Sequence, residues 1–301
     1  RITRRGIFCA LRLHEPAESV VLPHERTFPK AKADRLELLR ATRTNTSPVF
    51  ALVEAGRAVT ALARASTAVA TARAGEDAHR LAMVADPDAI RSFASGLRNL
   101  RVYIADGHHR YETALTYATE RGAATDAPER FTLASLSSLD DPGLRILGTH
   151  RIVRGADATL DDAIRRSFDP TPLEKGALDD RQPGIVLARD GVLTRLEPRA
   201  DADRSGLPDA WRELPVALAE ELLLRAAREA GAEITYEHDT AKAIAAARGG
   251  TSAVLIRAVD AATLRAVADA GEKLPQKTTY FYPKVPAGLV IRSLDQDQAA
   301  R

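Results

Sequence analysis

The stretch "RVYIADGHHRYETALTYATERG", residues 101 to 122, changes its period halfway along. Residues 101–106 are apolar and β-branched and read as a strand. After Gly107, the residues Tyr111, Ala114, Leu115 and Ala118 recur at i, i+3, i+4 and i+7, one face of a helix that Gly122 stops. Asp106, Gly107, His108, His109 and Arg110 therefore fall on a strand-to-helix turn. The first N–H groups of a helix have no partner inside it, and together they carry about half a positive charge. Gly107 permits a sharp turn and a close approach of a ligand to the backbone. The histidines add donors, and Arg110 offers the fork that matches phosphate oxygens. A phosphate or another anion is the expected guest. Asp106 is expected either to orient a histidine or to hold a divalent cation. The same residues also suit an ordinary turn in which Asp106 caps the helix and the other side chains face water. A zinc site is disfavoured, because adjacent helical residues point about 100° apart and the i, i+4 histidine pair is absent.

Outward from this unit, residues 6–13 and 47–54 read as strands, and Asp34–Arg40 as a helix. Residues 55–74 are alanine-rich and carry few large side chains, so their packing is left open. A short helix is expected near Pro87, and strands at "FTLASLSSL" and "LRILGTHRIV". In the second half, residues 185–196 read as a hairpin turned by Asp190-Gly191. Leu214–Ala230 reads as a helix stopped by Gly231. A strand at "EITYEH", a helix capped by Asp239, a strand at "AVLIR" and a helix begun by Asp260 complete a β-α-β-α run. The polar segment Gly155–Pro183 is the expected boundary between a domain at 1–154 and one at 155–301.

The bulk numbers narrow the function classes. The chain has 301 residues, enough for two domains, with 45% hydrophobic and 28% charged residues. A formal net charge of +2 is too small to argue for a nucleic-acid surface. No apolar run approaches the roughly 20 residues that span a bilayer, so no membrane partner is expected. A single cysteine, Cys9, suits a reducing compartment, and the cytoplasm is the expected location. The chain opens without methionine, and a truncated N-terminus is expected. Oligomeric state is not legible.

Two further stretches carry chemistry. "LPHERTFPK", residues 22–30, places His24, Glu25, Arg26, Thr27 and Lys30 in a loop bounded by prolines. A carboxylate fixed there could act as a general base, although a solvated loop has the same composition. "LPQKTTYFYPK", residues 274–284, holds Lys277, Thr278 and Thr279, which could bind phosphate or a carboxylate, beside three aromatic residues. A buried strand with exposed lysines would read the same way. His150 and Arg151, in "GTHRIVR", end a strand and could reach a shared site.

Taken together and in order, "PHERT", "YIADGHHRYETAL" and "PQKTTYFYPK…GLVIRSLD" resemble the bacterial family of unknown function 1015. The similarity extends to "DRLELL", "SPVF", "LRILGTHR" and "ITYEHD". Members of that family usually carry a further segment before the point where this chain starts. The same stretches are similar to those of free-serine kinases built on the ParB/sulfiredoxin fold. That resemblance implies an α/β (α+β) architecture: a ParB/sulfiredoxin-like N-terminal domain, a smaller α/β C-terminal domain, and a site in the cleft between them. It implies a kinase that moves phosphate from ATP or ADP, with Mg²⁺, to a small hydroxylated substrate such as free serine. By it, Glu25 matches the carboxylate that deprotonates the hydroxyl. Asp106 and His108 join it as catalytic groups. His109 and Arg110, with Asp106 and His108, match the turn that binds and polarises phosphates; Gly107, His24 and Thr27 are expected beside them on the phosphate- and nucleotide-binding side, and Asp106 is expected to hold Mg²⁺ in part. Lys277, Thr278 and Thr279 match the late segment that returns to the cleft; with His150 and Arg151, read from their place at a strand end, they are expected on the substrate-binding side. Gln276 stands where the kinases place lysine directly after proline, a departure of one residue in register. A ParB-like nucleotide-dependent DNA-binding regulator and a phosphatase or nucleotide hydrolase are the alternatives. Against the regulator stand the near-neutral charge and the absence of an obvious helix-turn-helix with a basic recognition helix.

Overall fold

The structure, a computed structural model, describes residues 2–25, 29–174, 178 and 184–295. The chain divides into two compact units, Arg1–Arg145 with Phe281–Arg301, and Ile146–Tyr280.

The first unit is built on a mixed five-stranded sheet. Its strand order is Ile7–Arg12, Phe131–Ser138, Val49–Val53, Val102–Asp106, Val21–Pro23. Val49–Val53 runs parallel to Phe131–Ser138 and antiparallel to Val102–Asp106, which in turn runs parallel to Val21–Pro23. All five residues of Val49–Val53 are buried, as expected of a strand covered on both faces. Helix His108–Glu120 follows Val102–Asp106 directly and buries Tyr111, Ala114 and Ala118 against that sheet's core, with Leu115 packed beside them. Gly122, at φ 56°, ends it. Helix Pro29–Thr42 is longer than the Asp34–Arg40 expectation. Its first residues, Pro-Lys-Ala-Lys-Ala, carry no large apolar side chain that would betray a helical period. The alanine-rich segment resolves into helix Gly56–Arg64, which buries Val59 and Leu62, and strand Thr67–Ala74. Among the described residues that strand pairs only with Asp77–Met83, and every one of its residues is exposed.

The second unit is a six-stranded, wholly antiparallel sheet. Its order is Phe168–Leu173, Val192–Pro198, Ile185–Arg189, Thr251–Ile256, His150–Arg154, Glu233–Glu237. The β-α-β expectation holds in chain order but not in adjacency. Glu233–Glu237 and Thr251–Ile256, joined by helix Thr240–Ala246, flank His150–Arg154, which runs antiparallel to both. The polar stretch after Gly155 forms helix Asp157–Ser167 and the edge strand Phe168–Leu173. The hairpin turns at Asp190 (φ 47°) and Gly191 (φ 81°), the pair of positive angles of a type I′ turn. The long helix is interrupted by a π-helical turn at Glu220–Leu224 between Pro215–Ala219 and Arg225–Glu229. Among the described residues, no helix is long and apolar enough to cross a membrane.

Candidate functional site

The turn after Val102–Asp106 gathers charge. Gly107 adopts φ 91°, a left-handed conformation that suits glycine, and opens the helix with no side chain capping it. Asp106, the last strand residue, receives the Lys284 ammonium on Oδ2 at 2.9 Å. Its Oδ1 lies 3.8 Å from Nη2 of Arg110. Burial by itself would raise the Asp106 carboxyl, but Lys284, Arg110 and the Gly107 N–H together hold it below the usual range. Arg110 also donates through Nη1 to Ser47 Oγ at 2.8 Å. Desolvation lowers its guanidinium pKa against the pull of Asp106, and Arg35 lowers it further. One carboxylate thus faces two cations at a helix N-terminus, with a third in electrostatic range. The surplus is positive, which is the condition for holding an anion.

The glycine itself is required by space as well as by angle. A Cβ at Gly107 would stand 2.7 Å from the Arg110 guanidinium. Arg110 therefore folds back over its own helix start only because residue 107 has no side chain.

Beneath the charges lies a row of rings. His24 is fully buried and donates from Nδ1 to the Ile104 carbonyl at 2.6 Å, since a carbonyl can only accept. Its backbone N–H donates to Nε2 of His108 at 3.3 Å, and the two rings meet edge to face at 4.7 Å. Nε2 of His108 is therefore an acceptor, which places the proton of the neutral ring on Nδ1. Burial pushes His24 down to about 4, so the ring is neutral at pH 7. Phe281 packs against His24 at 6.1 Å and against Phe50 at 5.7 Å, both edge to face. This row adjoins the charge cluster, since His24 feels the Asp106 carboxylate.

The residues singled out by sequence fall in two places. His24, Glu25, Asp106, Gly107, His108, His109 and Arg110 all belong to the first unit. The structure brings His24 against His108, and Asp106 near Arg110. Glu25 follows His24 as a half-buried residue just past strand Val21–Pro23, and His109 is half-buried on the first helical turn. Thr27 lies outside the described residues. Lys277, Thr278, Thr279, His150 and Arg151 belong to the second unit. There Arg151 is fully buried. It donates through Nε to Glu220 at 2.9 Å, through Nη1 to the Thr149 carbonyl and through Nη2 to the Gln276 carbonyl at 3.3 Å. His150 meets Thr240 Oγ1 at 3.0 Å through Nε2 and accepts the Ile256 N–H on Nδ1. Lys277 is exposed at φ 55°, and Thr278 is buried, its hydroxyl donating to the Pro275 carbonyl.

Three residues of the cluster were not singled out from sequence: Lys284, Ser47 and Phe281. "FYPK" and "SPVF" contain them, but nothing in either stretch shows that Lys284 and Ser47 reach one turn across 178 and 63 residues of chain. Asp106 is the carboxylate of this turn, and its two oxygens face Lys284 and Arg110. Among the described residues, no group of three or more His, Cys, Asp or Glu side chains is arranged to hold a metal ion.

A family model described as a protein of unknown function (DUF1015) matches residues 1–217. The fold is similar to that of a conserved hypothetical protein from Pyrococcus furiosus (13% identity, TM-score 0.50, covering 98% of each chain). It is also similar to SbnI with a C-terminal truncation from Staphylococcus aureus (12%, TM-score 0.55, covering 96% of this chain and 90% of that one). A third similar structure is a free serine kinase variant in complex with ADP (12%, TM-score 0.50, covering 93% and 88%). At these identities the likeness is one of fold. No curated protein matches the sequence.

Proposed function

For a chain that belongs to the DUF1015 family, we propose a nucleotide-dependent kinase that phosphorylates a small hydroxylated metabolite. The observation that carries this reading is the Asp106–Lys284–Arg110 cluster at an uncapped helix N-terminus. A free serine kinase of similar fold was solved with ADP, which supports a nucleotide as the anion.

Phosphoryl transfer asks the protein for positioning and charge stabilisation more than for covalent chemistry. Arg110, Lys284 and the first helical N–H groups would hold the phosphates and take up the charge that spreads over the moving phosphoryl group. The acceptor hydroxyl attacks phosphorus and the bond to the departing nucleotide breaks. The hydroxyl proton goes to the Glu25 carboxylate, one residue from His24, whose place is fixed by Ile104 and His108. His24 and His108 act as neutral positioning groups. Asp106 would be the one protein carboxylate to hold Mg²⁺, in exchange for its contact with Lys284. When bound, the ion would neutralise phosphate charge.

The test is a thermal-shift titration of the full-length protein with ADP and ATP, with and without Mg²⁺, for the wild type and Arg110→Ala. Removing one charge-assisted phosphate contact should weaken binding by about 10- to 100-fold. A coupled assay then follows loss of the nucleotide's terminal phosphate in the presence of hydroxy acids. Absence of both binding and turnover would end the kinase reading. Phosphate release that needs no acceptor would make the protein a hydrolase.

A further inference from the structure

The Asp106 turn has one partner that carries no charge. Arg110 donates through Nη1 to Ser47 Oγ at 2.8 Å, across 63 residues of chain. Ser47 is half-buried and stands two residues before the central strand Val49–Val53. Its backbone is pinned from both sides. Thr44–Asn45 pairs with Arg292–Ser293, and the Thr46 carbonyl accepts the Gly288 N–H at 3.1 Å. Asn45 Oδ1 accepts the Leu133 N–H at 2.9 Å. On the other side Pro48 is buried, and its ring disfavours a helical backbone at Ser47. The path of the chain therefore holds Ser47 in place independently of Arg110.

Three contacts orient the Arg110 guanidinium. It lies over Gly107, where a Cβ would stand 2.7 Å away, its Nη2 is 3.8 Å from Asp106 Oδ1, and its Nη1 meets Ser47. A second carboxylate in the place of Ser47 would pair with Arg110 and cancel its charge. A hydroxyl accepts the N–H and leaves the cation its full charge for an incoming anion. The hydroxyl also has something left to give. It carries one proton beside its acceptor lone pairs, and Arg110 uses only a lone pair. Among the described residues, nothing accepts the Ser47 proton. Ser47 and Arg110 thus offer donors side by side, one neutral and one charged, at an uncapped helix start.

We infer that Ser47 is a phosphate ligand: its O–H donates to an oxygen of the phosphate that Arg110 binds through its remaining N–H groups. The inference rests on the reading of this turn as a phosphate site. Ser47 keeps its proton throughout and contributes binding, with no bond made or broken at its oxygen.

The experiment is calorimetric titration of the full-length protein with ADP and with inorganic pyrophosphate. It compares the wild type with Ser47→Ala, Ser47→Thr, Arg110→Ala and the double variant Ser47→Ala/Arg110→Ala. Loss of a hydrogen bond to a charged group should make Ser47→Ala about tenfold weaker, by the same factor for both ligands. Ser47→Thr keeps the hydroxyl and should restore most of the affinity. In the Arg110→Ala background, Ser47→Ala should still cost about threefold. Circular dichroism melts without ligand check the fold, and Ser47→Cys, of similar size but a weak donor, replaces Ser47→Ala if alanine disturbs it. Wild-type affinity in Ser47→Ala would overturn the inference. So would a loss confined to ADP, which would put Ser47 at the nucleoside end. No further loss in the Arg110→Ala background would overturn it too, making Ser47 a support for Arg110 alone. Pyrophosphate bound with the expected pattern, but no ADP bound, would sink the nucleotide reading and leave Ser47 a phosphate ligand. A wild type that binds neither would end both.

Discussion

His24 is the residue whose chemistry is most altered by the fold. Free histidine titrates near 6.5, and burial takes this ring down to about 4. Between those values the unfolded chain takes up a proton that the folded one refuses. The neutral ring's contribution to stability is therefore complete above about pH 6.5 and is lost as pH falls through about 4. Going from pH 7 to pH 5 should remove about 2 kcal/mol through this group alone. His24→Asn keeps a side-chain donor for the Ile104 carbonyl and removes the titration. Urea denaturation of both proteins at pH 7 and pH 5 should show the wild type losing more stability than the variant over that interval. Equal losses would mean that the ring is already protonated, or already reached by water, in the native protein. Asp106 shifts in the same downward sense, for the different reason that Lys284 and Arg110 outweigh its burial. Its share of the pH dependence lies below the usual carboxylate range, clear of the histidine window.

At the scale of elements, the turn between Val102–Asp106 and His108–Glu120 is where local geometry and site geometry coincide. Gly107→Ala would force a side chain into φ 91° and set its Cβ 2.7 Å from Arg110. We expect a loss of about 1–2 kcal/mol in stability and a larger loss in nucleotide binding, since Arg110 must leave. Gly96 is the control. It is exposed inside helix Pro87–Leu97, and its nearest neighbour for an added Cβ is 3.9 Å away. Gly96→Ala should raise stability by about 0.5–1 kcal/mol with no effect on binding. Denaturation midpoints and ADP titrations of the two variants would separate these outcomes. A Gly107→Ala protein with wild-type affinity would show that Arg110 does not serve the phosphate in its folded-back position. This turn was legible from sequence because two periods meet at a glycine. Helix Asp157–Ser167 was not, since its buried residues, Leu160, Ala163 and Ile164, are few and set among Asp and Arg. The Glu220–Leu224 π turn was hidden for another reason, that an inserted residue leaves apolar composition unchanged. Lys284 was hidden because a partner reached only through tertiary folding leaves no local mark.

For the whole molecule, burial divides the chain into parts that should open at very different free energies. Val49–Val53 in the first unit and Thr251–Ile256 in the second are buried at every position and hydrogen-bonded on both sides. The ribbon Thr67–Ala74 with Asp77–Met83 stands apart from both larger sheets, and Val69 and Met83 are among the large apolar residues left exposed. A two-stranded ribbon alone is marginally stable in water, so its hydrogen bonds should break by local fraying rather than by unfolding of the unit. Hydrogen exchange followed by mass spectrometry on the full-length protein tests this directly. Peptides covering 67–83 should exchange first, and those covering 49–53 and 251–256 last, at the limit set by global unfolding. The tether from Asp77 to the Tyr282 hydroxyl adds a refinement. It ties the tip of the ribbon to the segment that carries Lys284, so ligand binding at Asp106 and Lys284 should slow exchange near residue 77 more than near residue 69. Slow exchange along the whole ribbon in the free protein would mean that this surface is covered in solution, and the exposed strand Thr67–Ala74 would then be the place to look for what covers it.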